Sequence, residues 1–311
     1  MRESKNKPIV LLGNFDGVHL GHRALVKKAR ELADENGELC TVWSFGVLPK
    51  LNHGDGFADI TLPALRSAWL RTYGADEVIF DSFERVRNFS PREFFEKVIL
   101  GELDASGCVC GFNYRFGRGG AGDCSDLAAL CREYGLRVNV VDEVKVTLGD
   151  NDMTVSSTKI RELLEVGNVK DAGILLGHSH VTGGEVVGGK KLGRTAGFPT
   201  ANQRIDKNQI KLPTGVYATY CRMDGGYYPS VTNIGRCPTV TENGDIVSET
   251  HIIGYSGDLY GKDLRVGYLD RIRGEKKFGS ADELFAEIRR NSETAERIFR
   301  EREKEIFIPR D

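Results

Sequence analysis

No stretch of this chain stays apolar for the ~20 residues that a membrane-spanning helix needs, so no such helix is expected. A secretory leader is not expected either. After MRESKNK only Pro8 to Gly13 is apolar before Asn14 and Asp16, too short for a signal-peptide core. Net charge is close to nil: 43 Lys+Arg against 45 Asp+Glu, or −2. That excludes a general nucleic-acid coat, which needs a strong positive field. Internal repeats and low-complexity segments are also missing from the sequence. The seven cysteines (Cys40, Cys108, Cys110, Cys124, Cys131, Cys221 and Cys237) are odd in number and scattered. They exclude a disulfide framework and point to a reducing cytoplasm. Cys108-Val109-Cys110 is the one tight pair, and zinc pairs normally have two or more residues between the ligands. On a strand these two thiols share a face, and they read as small core residues.

What the chain has in excess is glycine, 37 of 311 residues, against a usual share of about 7%. Without a collagen-like period, this implies many tight turns or close backbone approaches to a ligand. A hydrophobic share of 40% with 28% charged residues suits a soluble globular protein. At roughly 150 residues per domain, the length suggests two domains.

The first half alternates between two periodicities. Strands are expected at Pro8–Gly13, Leu39–Phe45, Glu77–Phe80, Cys108–Gly111 and Leu136–Val141. Between them the pattern predicts helices at His22–Asp34, Pro63–Tyr73, from Ser90, and at Cys124–Tyr134. Ser90-Pro91-Arg92-Glu93 has capping-box spacing with proline at the first helical position. Alternating strands and helices predict a parallel sheet with helices on both faces. Two short helices, Ser156–Glu165 and Val169–Leu176, would close this part. After Gly177 the pattern changes. From His180 to Asp270 short β-rich runs (Val216–Cys221, Tyr228–Asn233, Val247–Tyr255, Leu264–Leu269) lie between glycine-rich turns. That predicts an antiparallel barrel or sandwich. A last helix starts at Ser280, with Glu283 placed for a second capping box. The expected domains are therefore 1–177, α/β, and 178–311, β with a terminal helix.

Two stretches carry chemistry. The first strand runs into Gly13-Asn14-Phe15-Asp16-Gly17-Val18-His19-Leu20-Gly21-His22 and then a helix. A glycine-rich turn at a helix start gathers N–H groups for a phosphate, although the spacing is not that of the dinucleotide fingerprint. Imidazoles at His19 and His22 can donate to phosphate oxygens and stabilise charge during transfer. Spacing alone also allows a zinc pair lacking further ligands, or a helix-start and a loop histidine without a role. This stretch resembles the HxGH signature of the nucleotidyltransferase superfamily. Gly111-Phe112-Asn113-Tyr114-Arg115-Phe116-Gly117-Arg118 is similar to its GxDFRFG-type segment, with Asn113 where many members carry aspartate. Ser156-Ser157-Thr158-Lys159-Ile160-Arg161 resembles the SSTxIR segment that opens a triphosphate-holding helix. Hydroxyls and N–H groups at a helix start followed by Lys159 and Arg161 form an anion site; an ordinary serine cap with exposed basic residues is the plainer reading of that segment alone. The resemblance thus implies phosphate contacts from Gly13, Asn14, Phe15, Gly21, Asn113, Ser156, Ser157, Thr158 and Arg161.

The second half carries Gly193-Arg194-Thr195-Ala196-Gly197-Phe198-Pro199-Thr200-Ala201-Asn202, then Gly215-Val216-Tyr217, Asn233-Ile234-Gly235, Glu249-Thr250-His251 and Leu259-Tyr260-Gly261-Lys262. This series resembles the riboflavin kinase domain. The resemblance implies that Thr200 and Asn202 place Mg²⁺ and ATP, with Gly193 beside the nucleotide, and that Glu249 is the base. A phosphoryl transfer needs hard oxygen ligands for Mg²⁺ and a carboxylate to take the alcohol proton. Alternation puts Glu249 and His251 on one strand face, so His251 could merely flank the site. Gly188-Gly189-Lys190 offers either a phosphate-binding turn or a plain hairpin.

Together the halves resemble the bifunctional riboflavin kinase/FMN adenylyltransferase family over about residues 8–295. The resemblance implies riboflavin, FMN and ATP as ligands, FMN and FAD as products, a Mg²⁺ cofactor and a cytoplasmic location. It implies no nucleic-acid, membrane or obligate protein partner. The alternatives are a kinase with a degenerate first half, a flavin-responsive binder without activity, or a nucleotidyltransferase for pantetheine phosphate or a nicotinamide nucleotide. Intact Thr200, Asn202 and Glu249 argue against the binder, and the kinase-like half against the last. The chain leaves the family pattern at one turn. Members read Thr-Phe-Asp-Pro-His-Pro on the flavin side, where this chain reads Ser44-Phe45-Gly46-Val47-Leu48-Pro49. Phe45 and Pro49 are kept, and Val47 and Leu48 could still pack on a flavin ring. Glycine loosens a turn that proline would stiffen, so FAD formation is expected to lag FMN formation; the alternative is that the loop is simply variable and the activity ordinary.

Overall fold

The structure, a computed structural model, describes residues 7–48, 58–188, 198–236 and 246–310. Contacts divide the chain into two compact units: residues 1–57, 62–156 and 309–311 in one, 58–61 and 157–308 in the other. This division falls earlier than the change of sequence pattern at 177, because the two short helices pack with the second unit.

In the first unit, β1 (Pro8–Leu12) leads to α1 (Leu20–Asp34), β2 (Leu39–Phe45), α2 (Pro63–Thr72) and β3 (Glu77–Asp81). A turn of helix, α3 (Phe83–Val86), precedes α4 (Pro91–Phe94) and a π-helical run, Phe95–Glu102. The chain continues through β4 (Gly107–Gly111), the pair β5 (Arg115–Phe116) and β6 (Gly122–Asp123), α5 (Cys124–Glu133) and β7 (Arg137–Val141). A hairpin of β8 (Lys145–Leu148) and β9 (Asn151–Thr154) completes it. Sequence reading missed this hairpin; its strands are short and half exposed, so alternation has little apolar contrast to show. The sheet order is β3-β2-β1-β4-β7, with every pair parallel. All five residues of β1 are buried. A strand covered on both faces reads as one apolar run, and each fully buried aliphatic side chain contributes about 1.5–3 kcal/mol. Cys108, Cys110 and Cys131 are buried in this core with Phe94, Phe95 and Val98, as expected of small core residues. The Ser90 cap forms as the sequence predicts: Ser90 Oγ accepts from Glu93 N–H at 3.2 Å, and Glu93 Oε2 accepts from Ser90 N–H at 2.9 Å.

The second unit begins with α6 (Ser157–Glu165) and α7 (Val169–Leu176). Six strands follow: β10 (His180–Glu185), β11 (Ala201–Arg204), β12 (Gly215–Met223), β13 (Gly226–Arg236), β14 (Ile246–Ile252) and β15 (Asp263–Arg273). Their order is β10-β15-β12-β13-β14-β11, and every pair is antiparallel. The edges approach each other: Val187 N–H donates to Asn202 O at 2.8 Å, and Gln203 Nε2 donates to Gly184 O and Leu264 O at 2.6 and 2.7 Å. The result is a nearly closed barrel. Its interior holds Tyr217 and Tyr268 and a hydroxyl chain Thr219–Thr232–Thr250 at 2.8 and 2.9 Å, which satisfies polar groups that burial would otherwise penalise. The terminal helix α8 (Ala281–Glu301) buries Asn291, Ala295 and Ile298. Its start corrects the expected reciprocal cap. Ser280 Oγ does accept from Glu283 N–H, but the Glu283 carboxylate takes the Gly279 N–H. The extended backbone at Ser280 presents the preceding amide instead.

Candidate active sites

In an open parallel sheet, ligands bind beyond the carboxyl ends of the strands where the order reverses. Here the chain leaves β1 toward β2 and β3, then crosses to β4 on the other side. The switch point therefore lies between the loops after β1 and β4. Those loops are residues 13–19 and 112–114, which carry two of the predicted motifs.

The loop after β1 is strained. Phe15 and Val18 hold φ of 53° and 42°, beside Gly17 at 82°. Left-handed backbone is an outlier for a β-branched residue. The turn is held by burial, since Phe15 and Val18 are both fully inaccessible, and by a Val18 N–H to Phe15 O bond of 3.1 Å. Strain of this kind collects at functional sites. It ends at His19, the N-cap of α1, whose Nδ1 accepts from His22 N–H at 3.3 Å. A neutral imidazole accepting at Nδ1 carries its proton at Nε2, so the cap fixes the tautomer of His19. The His19 and His22 rings stack with centroids 3.6 Å apart. The glycine between them is explained by close approach: a Cβ on Gly21 would lie 3.1 Å from the His19 ring. The His22 pKa is pushed well below the ordinary histidine value by burial, then by His19 and Arg66. Its Nδ1 is buried with no partner among the described residues. The first turn of α1 carries no acidic residue.

After β4, Asn113 is exposed. Gly117 has φ of 73°, and a Cβ there would meet the Pro91 ring at 2.9 Å, which accounts for the glycine after Arg115-Phe116. On the flavin side, Phe45 packs edge-on to Trp43 and Phe83 at 5.0 and 5.4 Å. Val47 is 79% exposed, but Leu48 is 3% exposed. The expectation that both face a flavin ring is thus corrected for Leu48, which packs into the protein. Pro49 lies outside the described residues. Sequence reading missed Arg66, which is fully buried on α2 and donates to Phe45 O and Gly46 O at 2.6 and 2.9 Å. Its signal was present: one arginine on the apolar stripe with Trp69 and Leu70.

In the second unit Arg161 Nε donates to Ala58 O at 3.1 Å and Nη1 to Ser157 O at 3.4 Å, while Lys159 pairs with Glu162 at 2.9 Å. Ser157 opens α6, and Thr158 in its first turn is exposed. Ser156 closes the first unit, so the SSTxIR-like segment straddles the division of the chain.

On the barrel, Asn202 on β11 stands opposite Glu249 on β14, and Glu249 stands opposite Asn233 on β13. Directly paired residues point to the same sheet face with Cβ atoms about 4.5–5.5 Å apart. The register thus brings together Asn202 and Glu249, and adds Asn233, whose role the sequence did not disclose. Glu249 and Asn233 are exposed, within reach of a substrate. His251 Nδ1–H donates to Pro199 O at 2.9 Å, and its ring meets Phe198 edge-on at 5.4 Å. It therefore ties the Pro-Thr-Ala-Asn segment to β14. A cavity of about 430 Å³ is lined by Thr200, Asn202, Thr250, Tyr255, Asp258 and Tyr260 among others; Glu249 is not part of its wall. Gly189, Lys190 and Gly193 lie outside the described residues.

Comparison with known proteins agrees with this division. A FAD synthetase family model matches residues 1–159, and a riboflavin kinase model matches residues 176–299. The chain belongs to the bifunctional riboflavin kinase/FMN adenylyltransferase family. Members join both transferase activities in one chain, and both halves are present here. The relative from Bacillus subtilis is 31% identical, covering 96% of this chain and 95% of its own length. That from Escherichia coli K12 is 34% identical over 94% of this chain and 92% of its own. A solved structure described as a macrolide-efflux protein from Streptococcus pneumoniae is 31% identical with a TM-score of 0.81, covering 94% of this chain and 95% of that one. Among the described residues here, no helix is long and apolar enough to cross a membrane.

Proposed function

We propose that the barrel phosphorylates riboflavin and that the parallel-sheet unit adenylylates the FMN so formed, with 177 as the functional boundary. The observation that carries the reading is the pairing of Asn202 with Glu249 on one face, which puts an oxygen ligand and a carboxylate side by side. In the kinase step, Glu249 accepts the proton of the terminal ribityl hydroxyl as that oxygen attacks the γ-phosphorus of ATP and ADP leaves. The donor set of Thr200 and Asn202 fits a hard cation: both offer neutral oxygens, and Asn202 commits its amide nitrogen to Thr200 O at 3.3 Å, which leaves its oxygen for a ligand. Thr200 and Asn202 would hold Mg²⁺ there, and it would offset charge on the phosphates.

In the adenylyl step an FMN phosphate oxygen attacks the α-phosphorus of a second ATP, and pyrophosphate leaves. A phosphate is already ionised at pH 7, so no protein base is required. His19, oriented as an Nε2–H donor, and neutral His22 stabilise the charge that develops. Gly13, Asn14, Phe15 and Gly21 shape the loop, Asn113 closes the switch point, and Ser156, Ser157, Thr158 and Arg161 take up triphosphate oxygens. Phe45 and Pro49 contact the flavin. Free thiols at Cys40, Cys108, Cys110, Cys124, Cys131 and Cys221 support a reducing, cytoplasmic setting. Small molecules are the only partners this reading requires. The test is a time course from riboflavin, ATP and Mg²⁺ with flavins separated by chromatography. FMN should accumulate before FAD, because the flavin-side turn departs from the family pattern at Gly46, Val47 and Leu48; FAD without detectable FMN would remove the kinetic part of the reading, and no FMN at all would remove its kinase part.

A further inference from the structure

The buried cation on α2, which helps to lower the His22 pKa, also touches both sides of the adenylyl-transfer site. Arg66 is fully inaccessible. Its guanidinium donates to Phe45 O at 2.6 Å and Gly46 O at 2.9 Å, where β2 turns toward the flavin side, and reaches Asn14 O at 3.5 Å in the phosphate loop. Ser44 Oγ donates to the same Asn14 oxygen at 3.2 Å. Beneath, the guanidinium lies 4.9 Å from the centre of the Phe80 ring, which favours a planar cation at that place. A rigid planar fork of five donors can hold carbonyls of two separate loops at once in one fixed geometry, which a freely rotating ammonium does less well. The need is visible in the sequence: Gly46 sits in the turn and supplies no stiffness of its own.

We infer that Arg66 is a positioning residue for adenylyl transfer, clamping the turn after β2 to the loop after β1 so that the two substrates meet in register. The inference rests on the reading of residues 13–22 as the adenylyl-transfer loop. Misplacement by about 1 Å can cost 10²-fold in rate, so the clamp matters even though it touches neither reacting atom.

The test uses the full chain with Arg66→Lys and Arg66→Met, assayed for FMN-to-FAD conversion with MgATP and, separately, for riboflavin-to-FMN conversion. His22→Ala is run beside them. Arg66→Met is expected to lower FAD-forming kcat/KM about 10²-fold, with the KM for FMN raised, and Arg66→Lys to recover part of that loss. FMN formation should stay within two-fold of the unaltered chain, on the order of assay scatter for an independent site. A purely structural role would lower kcat with the folded fraction and leave the KM for FMN unmoved; that result overturns the proposal. So does failure of both Arg66 variants to fold, or normal FAD formation by both while His22→Ala abolishes it. Normal FAD formation by His22→Ala instead overturns the reading of the loop, and the inference with it.

Discussion

The two halves solve phosphate chemistry with opposite surroundings. In the parallel-sheet unit the candidate groups are on a strained loop, packed ring against ring, with the His22 pKa pushed well down by burial, then by His19 and Arg66. On the barrel they stand in a row across three neighbouring strands, and the carboxylate faces solvent. The difference follows the nucleophile. A phosphate needs only orientation and charge stabilisation, which a desolvated loop of fixed donors provides. An alcohol must lose a proton, so its site needs a base, and Glu249 is the carboxylate proposed for it.

The sharpest way to break this comparison is Glu249→Gln, which keeps shape but cannot take a proton. Riboflavin phosphorylation should fall about 10²–10⁴-fold, with FMN-to-FAD conversion unchanged; steady-state rates of each half-reaction check it, and loss of less than half the kinase rate would place the base elsewhere. Next in size, His22→Ala should lower FAD formation from FMN by about 10²–10³-fold and spare FMN formation. Thr200→Ala should raise the KM for MgATP in the kinase reaction by roughly 5- to 100-fold, the range for losing one polar contact. Equal loss of both activities in that variant would contradict separate sites.

The smallest effect concerns stability. Buried His180 on β10 is pushed down to about 3 by burial, then by His178, and its Nε2 has no partner among the described residues. The unfolded chain takes a proton there below about pH 6.5, whereas the folded chain stays neutral until near pH 3. The unfolded state thus binds more protons in that window, and stability falls as pH falls from about 6.5 toward 3. Urea titrations should show a slope of up to about 1.4 kcal/mol per pH unit from this group. His180→Gln should flatten it.

Much of this was legible in the sequence, for reasons that differ by element. β2 and α7 were read to the residue because buried runs and capping residues mark them sharply. The helix at Ser90 followed from its reciprocal cap. The β8–β9 hairpin was not readable, since its strands are short and only half buried, nor was the β11–β14 register that sets Asn202 against Glu249, which depends on pairing distant in the chain. The roles of His19 and Gly21 became physical only when one ring was seen lying across the other's backbone. Arg66 was missed although it stands on an apolar helix stripe, because its carbonyl partners lie far away in sequence, and Asn233 was named in a segment but its pairing with Glu249 depends on a distant strand.

The central claim is that each half holds one complete and independent chemistry. The most direct test mixes two proteins, Glu249→Gln and His22→Ala, with riboflavin, ATP and Mg²⁺. Alone, the first should make almost no FMN and the second should stop at FMN. Mixed, they should produce FAD, because FMN released by one is adenylylated by the other. A mixture that makes no FAD, although the Glu249→Gln protein converts added FMN and the His22→Ala protein makes FMN, would contradict independent sites.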